Sequence, residues 1–191
     1  VVAGVSSGGP NHQITTTGED GRFSFSWKAD AERPNYVIAY KEGLAPGSTS
    51  RIRIVNREPI PSYQTELLLD RPGAFAGKVQ DRNGRPIAGA RARLLYMQSP
   101  RAFDLHAIAA NVVRGTPLEA LFNAVSDAKG DFRFPSVPAP PRVMVEVKRD
   151  GYGDVVTEIP GFHWPGLFAA SGDSPVPFRM YPEARVMGRV V

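Results

Sequence analysis

The sequence contains no cysteine and only three histidines among its 191 residues. The first absence excludes disulfides and thiolate metal sites. The second leaves too few ligands for a zinc centre, because His12, His106 and His163 stand alone in different segments. The Gly-x-Ser-x-Gly string at Gly4-Val5-Ser6-Ser7-Gly8 runs into Gly9-Pro10 and not into a helix pattern, so it does not read as a nucleophile elbow, and there is no cysteine nucleophile. No apolar run approaches the length of a membrane span, and no signal peptide is visible. The chain opens on Val1 inside an apolar strand pattern, which reads as a piece of a longer protein whose signal or anchor lies elsewhere. Together these absences leave no cofactor, no metal and no enzyme to expect.

What the chain has in quantity is turn formers, 19 glycines and 18 prolines, spread along its length rather than clustered. That spread suits an all-β chain with many turns. The net charge is +4. The basic residues are dispersed, with Arg51 and Arg53 alternating with Ile52 and Ile54, and Arg91 and Arg93 with Ala90 and Ala92. Such alternation is the solvated face of a strand, so nucleic acid is not an expected partner, nor is membrane insertion.

Read in order, Val1 to Val5, Tyr36 to Tyr40, Ser50 to Val55 and Glu66 to Leu69 are strand patterns. Asp20-Gly21 is a tight turn, after which Phe23, Phe25 and Trp27 fall on one face at period two. The second half repeats this grammar. Gly21-Arg22-Phe23-Ser24-Phe25 matches Gly130-Asp131-Phe132-Arg133-Phe134, Gly43-Leu44 matches Gly151-Tyr152, and Leu67 to Val79 matches Phe178 to Val190. Three separated markers at a nearly constant offset indicate a tandem repeat. The expected organisation is a unit over 1–72 lacking its first strand, a complete unit over 73–182, and the first strand of a third over 183–191. The short Pro-containing junctions at Arg71-Pro72-Gly73 and Tyr181-Pro182-Glu183 predict semi-rigid stacking. One departure from the β pattern is an insertion at 98–124. There Asp104 is positioned to cap a helical run through Val113, and Thr116-Pro117-Leu118-Glu119 sets a cap, a first-turn proline and a capping-box acid in order.

The second unit resembles the carboxypeptidase regulatory-like domain family. The resemblance rests on Gly77-Lys78-Val79-Gln80-Asp81, Gly84-Arg85-Pro86, Gly89-Ala90, the hairpin Ser126 to Phe134, the Pro138 to Pro141 turn and Gly151-Tyr152. It implies a transthyretin-like (prealbumin-like) antiparallel Greek-key β-sandwich of roughly seven or eight strands, close to the Ig-like architecture. It also implies an accessory module of secreted or envelope-attached bacterial proteins. The chain departs from the family pattern in the 98–124 insertion and in the Pro138 to Pro141 turn, where the usual glycine is missing.

The family name suggests a peptidase, but the carboxylates do not: Glu19, Asp20, Asp127 and Asp131 sit on hairpin turns, where Asp is favoured for local hydrogen bonding. Calcium-type loops with ligands at alternate positions are missing. A Lys–Asn crosslink from Lys78 lacks its asparagine in the late strand Val155 to Ile159. The candidate ligand site is the aromatic loop carrying Phe162, His163, Trp164 and Phe168. Its rings could stack on sugars or, the favoured reading, plug the end of the core. The expected role is a non-catalytic spacer and protein-interaction segment of a larger envelope or extracellular protein, with neighbouring domains of the parent as partners. The alternative is a module binding polysaccharide, a peptide or another envelope protein. An unpaired edge in the first unit and a free strand at 184–191 further predict head-to-tail self-association.

Overall fold

The computed structural model describes residues 2–6, 12–24, 35–48, 66–98, 107–111, 113–138, 142–159 and 175–184. Their elements are β1 (Val2–Ser6), β2 (His12–Thr15), β3 (Asn35–Ala39), β4 (Gly47–Ser48), β5 (Pro72–Asp81), β6 (Arg91–Gln98), β7 (Ala107–Ala109), β8 (Asn123–Val125), β9 (Asp131–Pro138), β10 (Arg142–Lys148), β11 (Val155–Ile159) and β12 (Val176–Met180). One 3-10 helix, Pro117–Phe122, precedes β8. The fold is all-β.

The first sheet has the order β2-β1-β3-β4. In the second half, β8 pairs with β6, β6 with β10, and β10 with β11, all antiparallel. The two orders are the same topology, with β8, β6, β10 and β11 standing for β2, β1, β3 and β4. Strands that match in the sequence thus hold matching places in the two sheets. A third sheet, β12-β5-β9, forms the opposing layer of the second sandwich. Within it β5 and β9 are antiparallel, while β12 runs parallel to β5.

Alternation puts apolar side chains between the layers. Phe75, Val79, Phe132, Phe134, Phe178 and Met180 come from the three-stranded sheet, and Ala92, Leu94, Met97, Val143, Val145, Val147 and Ile159 from the other; all are buried. Their neighbour Arg133 is exposed, as the period-two reading requires. The phenylalanines form one aromatic cluster, with Phe132 and Phe178 ring centroids 5.3 Å apart and Phe132 and Phe134 5.7 Å apart. Burying each such side chain stabilises the fold by roughly 1.5–3 kcal/mol. In the first unit Phe23, Leu67 and Leu69 pack against Val37 and Ala39. Phe25, Trp27 and the predicted strand Ser50 to Val55 lie outside the described residues.

Two expectations are corrected. The helical run from Asp104 to Val113 is not formed: Ala107–Ala109 is a strand on the edge of β6, and the Ala110 N–H donates to the Leu95 carbonyl at 2.8 Å. Asp104 itself lies outside the described residues. A run of about ten residues is marginal as a helix, whereas the edge of β6 satisfies its backbone directly. Glu66 to Leu69 is no strand, although its exposure alternates at period two. Pro72 and Gly73, in the short junction, pair with Pro138 and Val137 as the start of β5.

Candidate functional site

Phe162, His163, Trp164 and Phe168 lie outside the described residues. The turn carboxylates do not. Asp127 Oδ1 accepts from the Lys129 N–H at 2.8 Å and the Asp131 N–H at 2.9 Å. The Asp131 amide foremost holds its carboxyl below the ordinary value; desolvation, next in size, opposes it, and Lys129 and the charge of Lys78 add to the lowering. Asp81 closes the β5–β6 turn by similar hydrogen bonds, accepting from the Asn83 and Arg85 amides at 2.7 and 2.9 Å. These acids close turns, and Gly84 and Gly130 supply the positive φ beside them. Lys78 faces Asp131 at 3.3 Å across β5 and β9, both partly exposed, which is an ion pair. Among the described residues no three His, Cys, Asp or Glu side chains gather as a metal site would require.

Ser126 is a residue the sequence reading left without a role. It is buried, donates to the Ile87 carbonyl at 2.8 Å and accepts from the Ala90 N–H at 2.9 Å. Its own carbonyl accepts from the Gly89 N–H at 2.9 Å. One hydroxyl thus ties the Ile87–Ala90 segment before β6 to the β8–β9 hairpin.

The surface with most to do is the one where the two units meet. On β3, Val37 and Ala39 face the first unit's own core, and Ile38, between them, points the other way. Ile38 is 1% exposed and belongs to the core cluster that otherwise spans Phe75 to Met180. Tyr40 packs against the same cluster. Beside them the Ser136 hydroxyl donates to the Leu44 carbonyl at 3.0 Å, and the inserted strand β7 approaches β4. The 3-10 helix closes the same sandwich, with Leu118 and Phe122 buried, Thr116 as its N-cap, and the Glu119 carboxylate accepting from the Gly115 N–H at 2.7 Å. The insertion is thus partly lid and partly contact.

The corresponding face of the second unit is different in kind. Glu146 and Lys148 occupy the positions of Ile38 and Tyr40. Lys148 Nζ sits 2.7 Å from Asp154 and 3.1 Å from Glu146, and these two acids, Asp154 foremost, raise its pKa. Across the flanking strands β6 and β11 the Tyr96 hydroxyl donates to Glu158 at 2.6 Å. The signal for this contrast was present in the sequence. Tyr36 to Tyr40 is unbroken apolar, the mark of a strand covered on both faces, whereas Val143 to Lys148 alternates.

No family model and no curated protein matches the chain. Among solved structures it is similar to 3-chlorocatechol 1,2-dioxygenase from Rhodococcus opacus 1CP, at 16% identity and a TM-score of 0.34, covering 56% of this chain and 58% of that one. It is also similar to a C-terminal fragment of the major pilin of Streptococcus agalactiae, at 12% identity and a TM-score of 0.35, covering 78% of this chain and 53% of that one. The chain thus spans little more than half the length of either. Among the described residues no helix is long and apolar enough to cross a membrane.

Proposed function

We propose that this chain is a non-catalytic structural segment of a larger bacterial envelope or extracellular protein, built of carboxypeptidase regulatory-like repeats and serving as spacer and protein-interaction module. The observation that carries this reading is the contact between the two halves: a buried isoleucine, an aromatic and a backbone-directed hydrogen bond join the four-stranded sheet of the first to the sandwich of the second, whose β8-β6-β10-β11 order it shares. Its immediate partners are the neighbouring domains of the parent chain. The family resemblance supplies the compartment and the accessory role; the backbone hydrogen bonds that engage Asp127 and Asp81 support a structural part for these carboxylates.

The test is chemical denaturation of the wild type and of Ile38→Asp, followed by a probe in each unit. Coincident transitions that separate in the variant support a joined spacer. Independent transitions in the wild type overturn it. Titration with polysaccharide, read by tryptophan fluorescence, separates this reading from the sugar-binding one: a saturable shift abolished by Trp164→Ala favours the latter.

A further inference from the structure

Along β5, Phe75, Gly77 and Val79 point into the core, so Ala74, Ala76, Lys78 and Gln80 line the outer face of the three-stranded sheet. The centre of that face is low, because β5 is the middle strand and two of these four residues are alanines. The flanking strands stand higher. Arg133 and Pro135 project from β9, and Pro177 and Arg179 from β12, all four exposed. The result is a shallow trough along β5. The strand registers place its charges, with Arg133 beside Ala76, Asp131 beside Lys78, and Arg179 beside Gln80. Tyr181, 59% exposed, follows two residues beyond Arg179.

The three cations of this face share it with one carboxylate, and that one, Asp131, is taken by Lys78 at 3.3 Å. Among the described residues neither Arg133 nor Arg179 has a carboxylate partner. The outer face of the other sheet is balanced by contrast. There Arg91, Arg93 and Lys148 stand among Glu146, Glu158 and Asp154, and Lys148 is bound to two of these acids. Side chains stand nearly perpendicular to a sheet, so the two free guanidiniums keep the spacing of their backbone positions. Ala76 and Gln80, which they flank, lie about 13 Å apart along β5. One small anion cannot span that distance, whereas a chain with repeated negative charge can. The apolar part of the trough is made of rings, Pro135, Pro177 and Tyr181, which suit the C–H faces of sugars. The backbone of β5 is already paired on both sides, so an extended peptide lying there gains no ladder. We propose that the outer face of β12-β5-β9 binds a linear acidic polysaccharide, its carboxylates on Arg133 and Arg179 and a sugar ring on Tyr181.

Calorimetric titration of the full 191-residue chain with polygalacturonate tests this, with neutral dextran and polyglutamate as comparison polymers. The expected result is saturable binding of polygalacturonate, none of dextran, and weaker binding of polyglutamate, which has the charge without the sugar faces. R133E/R179E sets like charges against the polymer and lowers affinity about tenfold or more, with the thermal transition unchanged. Tyr181→Ala lowers it roughly three- to tenfold. R91E/R114E, which removes the same charge from elsewhere on the surface, leaves binding intact, and so does Trp164→Ala. Failure of polygalacturonate to bind overturns the proposal. So does polyglutamate binding as tightly, which points to an acidic protein partner instead. A loss that R91E/R114E reproduces, or binding that Trp164→Ala abolishes, overturns it as well. The contact at Ile38 is tested separately by denaturation, so this proposal and the spacer reading can each fail alone.

Discussion

Ser126 and Asp127 are neighbours with opposite demands on solvent. Ser126 is buried, and its hydroxyl serves one donor and one acceptor of the backbone. Ser126→Ala should therefore cost about 1–3 kcal/mol in a denaturant titration, because both partners lose their bond in a site water does not reach. Asp127 is exposed, and its carboxyl is held below the ordinary value chiefly by the Asp131 amide. A carboxyl with a depressed folded-state pKa contributes stability above its unfolded value and loses it as pH falls through the folded one. The melting temperature should thus drop on the acid side of the usual carboxylate range, and Asp127→Asn, which keeps an acceptor oxygen, should flatten that limb. Lys148 works the other way: its raised value contributes stability that is lost only as pH climbs through it, on the alkaline side. Gly77 is constrained by sterics. Gly77→Val forces the Phe132 ring out of a packed aromatic cluster and should cost about 1–3 kcal/mol or more.

At the scale of elements, the 3-10 helix has the most concentrated role, since Leu118 and Phe122 both enter the core from one short turn. Phe122→Ala should cost about 3–5 kcal/mol, and thermal unfolding measures it. The same element shows what a sequence makes legible. Thr116, Pro117 and Glu119 announce a helix start through local chemistry, and the structure uses them so, although Glu119 reaches the Gly115 amide rather than that of the cap. Period-two alternation likewise placed Phe132, Phe134, Val143, Val145 and Val147 inward, because each decision depends on neighbours two residues away. Ala107–Ala109 was not legible, since its state is decided by the edge of β6, a partner about ten residues back. Nor was the role of Ser126, whose partners lie 36 and 39 residues earlier.

For the whole molecule, the contact between units follows from one departure between repeats. Ile38 and Tyr40 stand where the second unit has Glu146 and Lys148, and that exchange converts an ion-paired face into a covered one. Ile38→Ala should cost about 2–5 kcal/mol, though the residue lies on the outer face of its own sheet. Glu146→Ala, at the equivalent position, should cost less than about 1 kcal/mol. Measuring the two side by side tests whether the repeats differ in what covers them.

The parallel pairing of β5 with β12 has a mechanical consequence. These strands open and close the second unit, at Pro72 and Met180, and they lie side by side. Tension applied through those two ends draws them along each other, so that the five residue pairs from Gly77 to Asp81 share the load at once. The β10–β11 hairpin, also held by five residue pairs, yields one pair at a time when gripped at Arg142 and Ile159. Single-molecule stretching with handles at 72 and 180 should therefore require clearly higher forces than with handles at 142 and 159. A protein that resists in the direction its own chain transmits is suited to bear load between whatever lies on either side of it.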